Sequence, residues 1–289
     1  LEKKDLNPFE KEHKEMLYPT VRVRTEKAGG SGTIIYSKPL PDQKGEDIDY
    51  ETYVLTNFHV IEDAVAFKKK WDPIAKREIT KETRTTVQVE IFEYKHGSSI
   101  VGSSAFEGDI VAWDKEHDLA LLKLRTVKPF KYVAKLYPKG KEDLIKLFAP
   151  CYAVGCSLGH SPIPSKGMLT GKNDEIENKS YWMSSAQIIF GNSGGSMYLE
   201  ETHELIGVPA RVSGYMAGFN IDVVTHMGLF VPCTRIYEFL EEQIYQFIYD
   251  KNYTSKDCEK LRKEKAEIEE KKLLLPEPQT LKEAKEEED

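Results

Sequence analysis

"FGNSGGSM", residues 190–197, sets a serine between an asparagine and two glycines directly after the apolar run Ile188-Ile189-Phe190. Gly, Asn and Ser all favour turns, so Ser193 reads equally well as an ordinary turn residue at a strand end. The alternative is a nucleophile seated beside free backbone N–H groups. That reading requires a base and an orienting acid elsewhere in the chain, and the octet therefore sends the search outward.

Outward from the octet, the chain from Val21 to about Pro232 reads as short β-strands separated by turns. "TVRVRT" (20–25), "SGTIIYS" (31–37), "YVLTNF" (53–58), "TTVQVEIFEY" (85–94), "GDIVAWD" (108–114), "DLALLKL" (118–124), "CYAVG" (151–155), "YWMSSAQIIF" (181–190), "ELIGVPARV" (204–212) and "GLFVP" (228–232) are β-rich, several alternating with period two. Many strands joined by Gly-containing turns predict an all-β sandwich or barrel pair, not a parallel α/β sheet. "GGSGT" (29–33) lacks the lysine of a phosphate loop, and its glycines mark a strand entry where the backbone approaches another segment closely. Within "YVLTNFHVIEDA" (53–64), an apolar strand gives way after Thr56-Asn57 and the base candidate His59 follows. In "EHDLALLKL" (116–124), the acid candidate Asp118 stands at the margin of another apolar strand. Alone, each of these residues is more often structural than catalytic. Together their order, His59, Asp118, Ser193, is the chain order of the chymotrypsin-type triad.

On these residues the sequence resembles the HtrA/DegP group of trypsin-like serine proteases. "GGSGTII" resembles the family's GSGF-type strand, "LTNFHVI" its TN-HV segment, "DLALLKL" its aspartate strand and "AVGCSLG" its A-I-G-N-P-L-G. "GNSGGS" matches the nucleophile turn, and "ELIGVPARV" with "GLFVP" resembles the substrate-binding strands. The resemblance covers roughly residues 18–240, with the motifs in the family's order. It implies two six-stranded antiparallel β-barrels, chymotrypsin-like, with the site between them. It also implies catalytic roles for His59, Asp118 and Ser193, an oxyanion hole from Gly191 and Ser193, and substrate contacts from Gln187, Ile189, Phe190, Ala210, Arg211 and Val212. The expected activity is a serine endopeptidase acting on protein or peptide substrates, without metal or cofactor. The rival is an inactive protease fold serving as a binding or chaperone-like module. The family also implies a homo-oligomer, a trimer built through the N-terminal segment. Departures from its pattern are Cys156-Ser157 in place of Asn-Pro, Ile189 in place of Asn and Ser196 in place of Pro.

Beyond the motifs, residues 65–84 read as an inserted surface loop or short hairpin with seven Lys/Arg against three Asp/Glu. After Pro232, Ile236, Phe239, Leu240, Ile244, Phe247 and Ile248 recur at helical steps and predict one docked helix over 234–250. A charged helix follows over 251–275, capped by Thr254 or Ser255, and 276–289 has the composition of a disordered acidic tail. The expected organisation is a 1–17 extension, a protease domain over 18–250 and these two C-terminal pieces, with no PDZ-like segment. A net charge of −7 over 289 residues argues against general nucleic-acid binding. No export signal and no apolar run of membrane-spanning length is legible. Cys151, Cys156, Cys233 and Cys258 lack zinc-site spacing and read as unpaired thiols, with a Cys151–Cys156 bridge as the alternative.

Overall fold

The computed structural model describes residues 9–41, 43, 48–72, 77–176, 179–218 and 220–274. The first half of the chain supplies β1 (Thr20–Arg24), β2 (Gly29–Pro39), β3 (Tyr50–Thr56), β4 (Val65–Asp72), β5 (Arg77–Arg84), β6 (Val87–Lys95), β7 (Ser99–Asp114) and β8 (Leu119–Leu124). Six of these close into an antiparallel barrel in the order β1-β2-β3-β8-β7-β6. Alternation drives the closure: Val21 and Val23 on β1, and Val87 and Val89 on β6, point inward with Ile34, Val54, Ile110 and Leu122, and all are buried. β4 and β5 pair only with each other and stand outside the ring. The basic insertion is thus a hairpin.

The second half supplies β9 (Pro150–Gly155), β10 (Ile163–Ile176), β11 (Lys179–Ser184), β12 (Ser196–Leu199), β13 (Leu205–Ala217) and β14 (Asn220–Pro232), closed in the order β10-β11-β14-β13-β12-β9. Ala153, Leu169, Trp182, Met197, Val208 and Phe230 fill it. Two six-stranded antiparallel barrels side by side make the chymotrypsin-like fold. The strand expected over 181–190 is shorter than its sequence suggests. β11 ends at Ser184, whose hydroxyl takes the Ala186 N–H (3.0 Å), and the chain then leaves the ladder. The apolar run before Ser193 is therefore a loop. Ile188 is nonetheless buried, its N–H bonded to the Thr225 carbonyl (3.1 Å), so hydrophobicity there reflects burial without strand pairing.

At the N-terminus, α1 (Glu10–Glu12) runs into a π-helical turn, His13–Leu17, that seats Met16 in the core. Glu15 reaches His203 of the second barrel at 2.9 Å. A short helix, α2 (Phe58–Ile61), follows β3. At the other end, α3 (Cys233–Glu242) buries Ile236, Phe239 and Leu240, but the predicted single helix breaks after it. Ile244 adopts a left-handed φ of 59°, and the Tyr245 N–H returns to the Leu240 carbonyl (2.7 Å), closing the helix as a glycine usually does. Phe247 and Ile248 are buried from a separate 3-10 turn, and Phe247 meets the edges of Tyr36 and Tyr53 on the first barrel. The segment after α3 thereby ties the two barrels together. In α4 (Ser255–Leu274), Thr254 and Asp257 cap each other reciprocally, with Asp257 N–H to Thr254 Oγ1 at 3.2 Å and Thr254 N–H to Asp257 Oδ2 at 3.0 Å. Its first turns are docked: Cys258 is buried and Arg262 lies over the Tyr245 ring at 4.0 Å. All four cysteines are free and buried. No helix among the described residues is long and apolar enough to cross a membrane. The acidic tail expected over 276–289 lies outside the described residues.

Candidate active site

β3 and β8 are neighbours, with Thr56 opposite Ala120, so the residues just past the end of one and just before the start of the other overhang the same spot. His59 on α2 and Asp118 are those residues. Asp118 holds His59 at two points: Oδ1 accepts the His59 backbone N–H at 2.9 Å, and Oδ2 lies 2.7 Å from Nδ1. An ionised carboxylate can only accept, so Nδ1 carries the proton and Nε2 presents its lone pair outward. Asp118 itself sits at a left-handed φ of 57° and is buried. Asn57 Nδ2 donates to the Asp118 carbonyl at 2.7 Å and holds that backbone in place.

Ser193 comes from the other barrel, on the turn before β12. Two residues of this turn have left-handed backbones, Gly191 at φ 94° and Gly194 at φ 83°. A Cβ on Gly191 would lie 2.5 Å from the Cys156 carbonyl oxygen, and one on Gly194 would lie 2.2 Å from the Ser31 carbonyl oxygen. Neither position admits another residue without movement. The backbone N–H groups of Asn192, Gly194 and Gly195 donate to Ile189, Pro209 and Asn192 carbonyls at 3.1, 3.0 and 2.9 Å. Those of Gly191 and Ser193 have no acceptor among the described residues. Two backbone donors two residues apart in one tight turn are thus left unengaged among the described residues.

One residue joins the two halves, and the sequence reading passed over it. Ser31, fully buried between the glycines of "GGSGT", makes four hydrogen bonds at the seam between the barrels. Its N–H donates to the Ser193 carbonyl (2.8 Å) and its carbonyl accepts from Thr56 Oγ1 (2.7 Å). Its hydroxyl donates to the Gly191 carbonyl (2.6 Å) and accepts the Cys156 N–H (2.7 Å). A hydroxyl residue flanked by glycines inside a strand was the available signal, since glycine there means close backbone approach. Two departures from the family pattern also lie at this seam. Ser196 pairs its hydroxyl with Thr33 of β2, and Cys156 donates its thiol to the Val21 carbonyl of β1 (3.6 Å). Burial pushes the Cys156 thiol up to about 12, so at neutral pH it is a protonated donor. Ser157 donates to Asn192 Oδ1 at 2.7 Å and steadies the residue before Ser193.

The structure thus brings α2 and the Ser193 turn against one strand, β2, although no hydrogen bond joins His59 to Ser193. The residues expected to contact substrate lie on the loop before Ser193 and on β13, whose Pro209 carbonyl accepts the Gly194 N–H. Ala210 is buried at a bulge between Pro209 and Arg211, and Val212 pairs with Gly228. Arg211 lies over the Tyr181 ring at 5.5 Å. Phe190 is exposed, while Ile189 is half-buried with its N–H 3.3 Å from Asn192 Oδ1. Gln187 is exposed and its carbonyl accepts from Ser165 Oγ (2.9 Å); the buried neighbour is Ile188, which occupies the space a side chain on Gly228 would need. Among the described residues no group of three or more His, Cys, Asp or Glu is placed to hold a metal ion.

A family model described as trypsin-like peptidase domain matches residues 30–208. No curated protein matches the sequence significantly. Among solved structures, an HtrA-type protease with a tripeptide is similar with a TM-score of 0.52, 17% identity and coverage of 80% of this chain and 62% of that one. The serine endoprotease from Yersinia pestis is similar with a TM-score of 0.51, 17% identity and coverage of 80% of this chain and 64% of its own. At that identity the likeness is one of fold, and this chain spans less than two thirds of either protein.

Proposed function

The chain belongs to the trypsin-like peptidase domain family, and from that premise we propose that it is a serine endopeptidase of the HtrA/DegP type. Its substrates are unfolded or flexible protein segments. The observation that supports this most is the two-point grip of Asp118 on His59 beside a serine turn with two unengaged N–H donors. As the Ser193 hydroxyl attacks a peptide carbonyl carbon, His59 Nε2 takes its proton. Asp118 stabilises the imidazolium that forms and keeps the ring from turning. The carbonyl oxygen, now negative, meets the N–H groups of Gly191 and Ser193. His59 then gives the proton to the leaving amine, and water hydrolyses the acyl-enzyme by the same route in reverse. On the acyl side of the scissile bond the enzyme prefers small or medium aliphatic residues, because Gln187 supplies no carboxylate to pair with a substrate Lys or Arg.

A fluorophosphonate probe and a casein digest test this together, on wild type and Ser193→Ala. The expected result is covalent labelling and cleavage by wild type and neither by the variant. Wild-type protein that is folded yet neither labelled nor active would leave only a protease fold used for binding.

A further inference from the structure

We propose that the β4–β5 hairpin is an exosite that draws acidic segments of the substrate polypeptide to the cleft, an inference that rests on the peptidase reading above. The hairpin belongs to neither barrel, so its sequence is free of core constraints, and its charge is distinctive. Residues 65–84 carry seven Lys/Arg against three Asp/Glu, a net of +4 in a chain of net −7. Strand alternation and the pairing register sort these charges by face. Phe67, Lys69 and Trp71 share one face with Arg84, Glu82 and Glu78, a face of balanced charge. The other face presents Lys68 and Lys70 on β4 with Lys81 on β5, and at its far end Asp72 pairs in register with Arg77. Lys68 and Lys81 are directly opposite, a like-charge pairing that costs stability in a sheet. No ion pair among the described residues neutralises Lys68, Lys70 or Lys81, and all three are exposed.

The face that carries Phe67 and Glu82 is the one turned to the protein body. Glu82 is spent there, bonded to Arg84 (2.5 Å) and to Trp113 Nε1 (2.8 Å), and Phe67 meets the Trp113 ring edge-on at 5.9 Å. Trp113 in turn packs against Phe58, the residue before His59, at 5.0 Å. Arg84 also donates to the Ile110 carbonyl (2.8 Å), and Thr85 N–H to the Ala64 carbonyl (2.9 Å). The root is therefore fixed to the same short helix that carries His59, and Lys68 stands only about 10 Å along the strand from Val65. A cationic face so rooted fits one occupant: a carboxylate-rich stretch flanking the scissile bond, held while the neighbouring residues enter the cleft. Such a surface acts by complementary charge, so its contribution falls with salt.

The test uses the full chain and fluorogenic peptides with one cleavable core, mapped first from casein products. The core is extended on either side with a Glu/Asp-rich segment or a Gly/Ser segment of equal length. Wild type should cleave one of the acidic versions roughly 10-fold more efficiently at low salt, through KM, with the advantage gone near 0.5 M NaCl. Lys68→Gln/Lys70→Gln/Lys81→Gln should erase the advantage and leave the Gly/Ser peptides unchanged, which also shows the variant folded. Equal cleavage of acidic and neutral peptides by wild type, or an advantage that survives the triple variant, overturns the exosite. If neither peptide is cleaved, the peptidase reading is what fails; anisotropy of the labelled acidic peptide on the Ser193→Ala chain still decides whether the face binds it. Binding of vesicles containing phosphatidylserine, lost in the triple variant, with no binding of acidic peptide, would assign the face to lipid and overturn the proposal.

Discussion

The two halves of the candidate site are held by different means. His59 and Asp118 belong to one barrel, sit at the ends of paired strands, and are joined by direct bonds between an imidazole, a backbone N–H and a carboxylate. Ser193 belongs to the other barrel and is placed by backbone: two left-handed glycines and bonds that cross the seam to β2. The first half is an imidazole–carboxylate pair fixed within one lobe. The second is a neutral framework that exists only where the lobes meet. Loss of the His59 or Ser193 side chain should therefore act on chemistry alone, and damage to the framework that places Ser193 on chemistry and stability together.

The sharpest test removes the reacting groups themselves. Ser193→Ala and His59→Ala should each lower turnover by about 10⁶, because members of such a unit do not act independently. Circular dichroism and the melting temperature should stay near wild type, since neither side chain is buried core. Cleavage by either variant above a few per cent of wild type would break the assignment of both halves.

Gly191→Ala probes the second half alone. Its Cβ would be forced against the Cys156 carbonyl and the Leu158 nitrogen, at 2.5 and 2.7 Å, on a backbone of φ 94°. The peptide must turn, and the donor it offers to the oxyanion turns with it. A loss of roughly 10²–10³ in kcat with KM little changed is expected, as for removal of one oxyanion donor. An unchanged kcat would show that Gly191 N–H does not serve there.

How much of this was legible follows the same division. His59 and Asp118, which the structure brings into contact, were legible as candidates because each stands beside a strand whose hydrophobic pattern is plain, and Ser193 was a candidate because its turn completes an order that fits one chemistry. Period-two alternation pointed to an all-β sandwich or barrel pair, and it was the resemblance that implied the two closed barrels the structure shows. The seam was not legible: the bonds of Ser31 to Gly191 and Cys156 span more than a hundred residues, and no local periodicity reports a contact between lobes. Where burial and pairing separate, pattern reading also misplaced elements. Ile188-Ile189-Phe190 read as a strand although only Ile188 is buried and the chain there is a loop. The 236–248 stripe read as one helix, yet Ile244 breaks it in a conformation its β-branched side chain disfavours.

Ser31→Ala sharpens the comparison further. It leaves the Gly191 carbonyl and Cys156 N–H without their buried partner, at about 1–3 kcal/mol of stability, and frees the Gly191 turn. A kcat loss of roughly 10-fold to 10²-fold at nearly constant KM is expected, smaller than for Gly191→Ala. Thr33→Val is the matched control, since it breaks the Thr33–Ser196 hydroxyl pair on the same strand without touching the turn. It should lose comparable stability and keep its kcat. If both variants lose kcat alike, Ser31 is merely part of the seam and does not position the oxyanion turn.

The smallest effect comes from Cys156, and pH isolates it. Burial pushes this thiol from its ordinary value of 9.0 to about 12, while Arg22 and Ser31 oppose the shift without cancelling it. Above pH 9 the unfolded chain releases the proton that the native chain retains, so the native state binds more protons. By linkage, stability is full below about pH 9 and falls as pH rises toward 12, by about 1.4 kcal/mol per pH unit for one such group. Cys151, pushed up to about 11, and Cys233, pushed up to about 12, add to the same slope, as does Tyr36, pushed up to about 12. The difference between wild type and Cys156→Ala is therefore the quantity to read. Urea denaturation at pH 8 and pH 10 should show the wild type losing about 1 kcal/mol more than the variant over that interval. At pH 8 the variant should be less stable, having lost the thiol bond to Val21 across the seam. Parallel losses in the two proteins would mean that Cys156 is hydrated in the native state, and the seam would then be looser than its hydrogen bonds indicate.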